Sequence, residues 1–108
     1  METGMDALLR DARAACGALI VDVRSPEEHA AGHIAGSVNV PLEAIARIGR
    51  TGADRDTPLY LYCHSGARAE RARMKLLQMG FENVVNMGGI LDWQGELVRG
   101  GDEGRNVK

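Results

Sequence analysis

Apolar residues along this chain switch repeatedly between a spacing of three to four and a continuous or alternating pattern, and each switch marks a change of secondary structure. Met5, Leu8, Leu9, Ala12, Ala15 and Cys16 recur at three and four, which predicts an amphipathic helix over Met5 to Cys16. Thr3 is its expected N-cap, Gly17 its stop, and Cys16 lies on the buried stripe. Leu19-Ile-Val-Asp-Val23 is a nearly unbroken β-branched run, as in a strand covered on both faces. Ser25-Pro-Glu-Glu28 combines an N-cap serine, a proline at the first helical position and a glutamate at the third, a capping box opening a short helix that Gly32 ends.

Ser37 to Val40 reads as a short strand, and Pro41 opens a helix carrying Leu42, Ile45, Ala46 and Ile48. The stretch from Gly49 to Thr57 is polar and turn-rich, a surface connection. Leu59 to Tyr62 is the next strand. Ala69, Ala72, Leu76 and Met79 then mark a helix with Glu70, Arg71, Arg73 and Lys75 outward, ending at Gly80 with Phe81 packed back on Leu76 in a Schellman end. Asn83 to Asn86 is a last short strand, Gly88 to Trp93 starts a final helical piece, and residues 98–108 are expected to be a flexible tail. Strands alternating with helices at these intervals predict an α/β fold: a small parallel sheet of four or five strands with helices on both faces.

With 108 residues the chain fits one domain, residues 1–108 with a core over about 5–97, and there is no internal repeat. A formal net charge of −2 supplies no general basic field, so neither nucleic acid nor an anionic membrane is an expected partner, and any anion site must be local. No apolar run reaches the roughly 18 residues of a membrane helix, and the acidic N-terminus lacks the layout of a signal peptide, so a cytoplasmic location is expected. Two cysteines, Cys16 and Cys63, are too few for a disulfide framework.

The chemistry gathers at Cys63-His-Ser-Gly-Ala-Arg68, where a strand hands over to a helix. Loop and first-turn N–H groups converge there, and the helix dipole favours negative charge, so a thiolate is stabilised and anions are drawn to the same point. Small Ser65, Gly66 and Ala67 let the backbone curl into a cradle. Arg68 is expected to close it, its planar fork holding two oxygens of an oxyanion at once, and His64 adds a donor whose charge varies near neutral pH. In a parallel sheet, ligands collect at the carboxyl ends of strands, which is where Cys63 falls.

Over about residues 17–93 the chain resembles the rhodanese-like sulfurtransferases, specifically their single-domain members. Besides the cysteine loop, the resemblance rests on Leu19-Ile-Val-Asp22-Val-Arg24-Ser-Pro-Glu-Glu28, on Gly32-His33-Ile34-Ala-Gly36-Ser-Val-Asn39-Val-Pro41, and on Gly88-Gly89 followed by Trp93. It implies a rhodanese-like α/β sheet fold and an active cysteine that carries a transferable sulfur as a persulfide. It also implies that Asp22 and Arg24 support the loop or the cleft wall; from the residues alone, a local ion pair or turn contact explains them equally. The chain departs from the family in three places. Only Met1 to Gly4 could supply the usual strand before the first helix, His29 stands where an aromatic residue is common, and His64 follows the cysteine where many thiosulfate-using relatives have arginine.

His29 and His33 have the spacing of a helical metal pair, but Gly32 ends the helix between them and no third ligand completes a set, so His33 is read as a hydrogen-bonded structural histidine and no metal is expected. Cys16 either packs in the core or resolves a persulfide. The expected reaction needs no cofactor: Cys63 takes a sulfane sulfur from thiosulfate or a similar anion and passes it to a thiol or cyanide acceptor, with a protein sulfur acceptor as a further partner class. The alternatives are a partner-dependent sulfur carrier or a non-catalytic binding module on the same fold. A cysteine phosphatase or arsenate reductase needs one residue more between Cys and Arg than the four found here.

Overall fold

The alternation along the two central strands sets the layering of the whole protein. In the computed structural model, which describes residues 4–100, the strands β1 (Leu19–Asp22), β2 (Val38–Asn39), β3 (Leu59–Cys63) and β4 (Val84–Gly89) form one parallel sheet in the order β2-β1-β3-β4. Val21, Leu59, Leu61 and Cys63 point to one face, where they pack with Ala69, Ala72 and Leu76 of α3 (Ala67–Gln78) and with Ile45 and Ile48. Ile20 and Tyr62 point to the other, against Met5, Leu9 and Ala12 of α1 (Gly4–Ala14), with Ile34 and Met87. Fully burying one Leu or Ile side chain is worth about 1.5–3 kcal/mol, so these two layers hold the sheet between them.

The helix ends follow local chemistry. The capping box is present: Ser25 Oγ accepts the Glu28 N–H at 3.1 Å and Glu28 Oε1 accepts the Ser25 N–H at 3.0 Å, opening α2 (Pro26–Ala31). The Schellman end of α3 is present too, with Phe81 N–H on the Leu76 carbonyl and Gly80 N–H on that of Leu77, both at 3.1 Å.

Several sequence expectations are corrected. Helix α1 ends at Ala14, and the chain turns through Cys16 and Gly17, the Ala18 N–H closing on the Ala15 carbonyl at 3.3 Å; Cys16 is therefore exposed, off the buried stripe. The segment after Pro41 is a 3₁₀ helix, Leu42–Thr51. With three residues per turn, Ile45 and Ile48 line up inward and Ala46 is left exposed. Strand β4 runs on to Gly89, with an irregularity opposite Leu61 and Tyr62 that leaves Met87 without a partner, so Gly88 and Gly89 belong to the strand and only a 3₁₀ turn, Ile90–Asp92, follows. Residues 98–100 are not free tail: Val98 and His33 exchange two backbone hydrogen bonds of 2.8 Å, and the Gly100 N–H reaches the Ala30 carbonyl at 2.8 Å.

The sheet has four strands among the described residues, and Gly4 already belongs to α1. The Thr3 cap, the rest of the possible first strand and the tail from 101 lie outside the described residues. Among those described, no helix is long and apolar enough to cross a membrane.

Candidate active site

From β1 the chain departs toward β2 on one side, and β3 lies on the other, so the sheet's topological switch point falls between the carboxyl ends of β1 and β3. Cys63 ends β3 there, 1% exposed, with its side chain turned toward Ala69 and Ala72. Gly66 N–H donates to Cys63 Sγ at 2.9 Å and Ala69 N–H at 3.4 Å. Gly66 sits at φ +101°, a left-handed conformation that L side chains rarely adopt, and this curl is what turns the loop amides back onto the sulfur. His64, Ser65 and Ala67 project outward, so Ser65 and Ala67 contribute to the cradle through backbone geometry.

Strand β4 holds the loop in place. Asn86 Nδ2 donates to the Gly66 carbonyl at 3.1 Å, its Oδ1 accepts the Gly88 N–H at 2.8 Å, and the His64 carbonyl accepts the Leu91 N–H at 3.1 Å. Gly89 pairs with Cys63, and a Cβ added to it would fall within the backbone of His64 and Ser65. Gly89→Ala is accordingly expected to push the loop off the sulfur, costing about 1–3 kcal/mol of stability as an overpacking substitution. Urea denaturation together with sulfur loading of Cys63 measures both effects, and an unaltered loading rate would show the contact to be slack.

Arg68 does not present an empty fork. Its Nη1 and Nη2 donate to Glu28 Oε1 and Oε2 at 2.7 and 2.9 Å, so the two oxygens it holds at once belong to the protein's own carboxylate. The Arg68 hydrogen bonds outweigh burial and hold the Glu28 carboxyl down at about 2. Glu28 thus closes the α2 cap and clamps the first turn of α3 with the same group.

A profile of the rhodanese-like domain matches residues 5–96. The chain belongs to the rhodanese-like family. It is similar to thiosulfate sulfurtransferase PspE of Escherichia coli, 33% identical over 81 residues covering 74% of this chain and 78% of that protein. It is also similar to thiosulfate sulfurtransferase GlpE of Pseudomonas entomophila, 36% identical over 92 residues covering 81% and 84%. Among solved structures it superposes on a rhodanese with anions from E. coli at a TM-score of 0.70 and 32% identity, over 76% of this chain and 98% of that one. Family and relatives together support sulfur transfer of rhodanese type as its class of activity.

In this rhodanese-like domain Asp22 and Arg24 form a buried polar network with His29 and Tyr62, and His33 stacks on His29. Asp22 Oδ1 accepts the Arg24 backbone N–H at 2.9 Å and Arg24 Nε at 3.0 Å, while Oδ2 pairs with Arg24 Nη2 at 2.7 Å, His29 Nδ1 at 2.9 Å and the Tyr62 hydroxyl at 3.2 Å. Arg24 Nη2 also donates to the Gly32 carbonyl at 2.7 Å. Asn39 Nδ2 donates to the carbonyls of Asp22 and Arg24 at 3.0 and 2.9 Å, fixing the chain as it leaves β1. Burial alone would raise the Asp22 carboxyl, but the hydrogen bonds from His29 and Arg24 and the guanidinium charge outweigh it and hold it below its usual range.

His29 fills the family's aromatic position as an aromatic ring would, stacked on His33 with centroids 3.7 Å apart, and adds a hydrogen bond to Asp22. His33 bonds through Nδ1 to the His29 carbonyl at 2.7 Å. Sequence reasoning missed Glu28 as a site residue because the capping box already accounted for it, and it missed Asn86 and Tyr62 because single polar atoms inside strands carry no local pattern.

Proposed function

We propose that this domain moves a sulfane sulfur from thiosulfate or a similar donor to a thiol or cyanide acceptor through a persulfide on Cys63. The observation that carries the reading is the pair of amides, Gly66 and Ala69, aimed at Cys63 Sγ at the mouth of the sheet. The Cys63 thiolate attacks the outer sulfur of the donor, the sulfur–sulfur bond breaks, and its electron pair leaves with the sulfite or equivalent group. The same amides then hold the anionic persulfide until an acceptor attacks the terminal sulfur. His64, one residue after Cys63, is exposed and supplies a further donor to a substrate that reaches the loop. A cytoplasmic setting belongs to the same reading, supported by two cysteines that are both free.

The test is the intact mass of the protein after thiosulfate without reductant, then after cyanide. One added sulfur atom is expected on Cys63, removed by cyanide. Because Cys16 is exposed, the measurement is repeated on Cys16→Ser, which should load and unload as the unmodified protein does. Failure of every sulfur donor to add mass at Cys63 would leave the non-catalytic module on this fold as the better reading.

A further inference from the structure

We propose that Glu28 sets the donor selectivity of the cradle, favouring an organic sulfane-sulfur donor with at most one negative charge over the doubly charged thiosulfate; this rests on the sulfurtransferase reading above. Both arginines at the cleft are already neutralised by the protein's own carboxylates, Arg24 by Asp22 and Arg68 by Glu28. Neither fork is vacant for a donor oxyanion. The attacking group is itself a thiolate, so a dianion approaches a negative sulfur on which the Gly66 and Ala69 backbone amides are the donors found among the described residues. Each further negative charge on the donor therefore raises the cost of approach.

A second observation points the same way. Beside His64 opens a groove of about 340 Å³, lined by the apolar Ala31, Ile90 and Leu97 together with Arg24 and Glu28. Leu97 is 44% exposed and lies against Gly32, where an added Cβ would come within 3.2 Å of the leucine side chain. Thiosulfate has no carbon to place in such a groove, whereas an organic persulfide R–S–SH or thiosulfonate R–SO₂–S⁻ carries one. In the first case, Cys63–S⁻ takes the terminal sulfur as the S–S bond breaks, giving Cys63–S–SH and R–S⁻. In the second it gives Cys63–S–S⁻ and the sulfinate R–SO₂⁻. Neither step needs an oxidant or a cofactor.

The experiment follows persulfide formation on Cys63 in single turnovers with thiosulfate and with benzenethiosulfonate, each rate normalised to the same donor's reaction with a free thiol. The normalised rate should be at least about tenfold higher for benzenethiosulfonate, and thiosulfate loading should quicken as salt screens the repulsion between thiolate and dianion. Glu28→Gln keeps the cap and an oxygen for Arg68 but removes the charge, so it should raise the thiosulfate-to-benzenethiosulfonate ratio about tenfold and flatten the salt dependence. Leu97→Ser should move the ratio the same way by loss of the organic contact. A thiosulfate rate that falls with salt in the unmodified protein, or a ratio unmoved by both variants, would overturn the selectivity assignment while leaving sulfur transfer intact. No loading of Cys63 by either donor would overturn the sulfurtransferase reading itself.

Discussion

Replacing Cys63 by serine is expected to abolish sulfur loading while leaving the protein folded. A serine hydroxyl does not ionise near neutral pH and cannot carry a sulfane sulfur, so neither half of the transfer has a nucleophile. Removal of a nucleophile of this kind costs on the order of 10³-fold or more in rate, and no other residue of the loop from Cys63 to Arg68 carries a thiol to stand in. The fold should survive because the replaced side chain is small and the Gly66 and Ala69 N–H groups already face its outer atom. Because Cys16 is free and exposed, the substitution is made in the Cys16→Ser protein, where intact mass after thiosulfate or benzenethiosulfonate, read beside the thermal unfolding curve, checks both halves of the expectation. A serine protein that still gained one sulfur atom would move the site away from Cys63.

The Asp22→Asn substitution is expected to be the most destabilising single change near the site, by about 3–5 kcal/mol. Asp22 is fully buried and accepts from Arg24, His29 and Tyr62, and Arg24 is only 5% exposed. Taking away the negative charge leaves a buried guanidinium uncompensated, which is far costlier than the net worth of the intact pair. Against a typical domain stability of about 5–15 kcal/mol, that loss removes a large share of the total. Urea denaturation should show a lower midpoint at an unchanged slope. A loss below about 1 kcal/mol would mean that the network is hydrated and that Arg24 finds another partner.

The same network makes the fold acid-labile in two stages. Burial lowers the affinity of His33 for a proton, reinforced by the neighbouring His29, against the opposing hydrogen bond to the His29 carbonyl. The folded group therefore titrates below its ordinary 6.5, the unfolded chain binds the proton first, and the stability this represents is whole above pH 6.5 and erodes as pH falls beneath it. Asp22 is likewise held below its ordinary 3.8, so its contribution is whole above that pH and is lost as pH falls toward its folded value. Denaturant midpoints recorded from pH 8 downward should fall in these two windows, and in Asp22→Asn the lower one should shrink to the share carried by Glu28, which its pair with Arg68 holds at about 2.

Read from its residues alone, the chain already contains the order of strands and helices, the parallel α/β class, the capping box at Ser25, the Schellman end at Gly80 and the cysteine cradle. Each is local: a periodicity of apolar positions, or a hydrogen bond between residues a few positions apart, which the chain encodes without knowing its own topology. The errors at Cys16 and Ala46 are local as well, since a helix that stops two residues early, or tightens to three residues per turn, changes which side chains face inward. What only the tertiary structure decided is the partnership of groups far apart in sequence. Arg68 reads as a free fork until the crossover from β1 to α2 brings Glu28 beneath it, 40 residues away. Gly89 reads as the start of a helical piece until β4 pairs with Cys63 and leaves no room for a side chain. The physical reason is that the charge a cleft offers depends on which opposite charge the fold carries to it, and no local pattern along the chain records that distance.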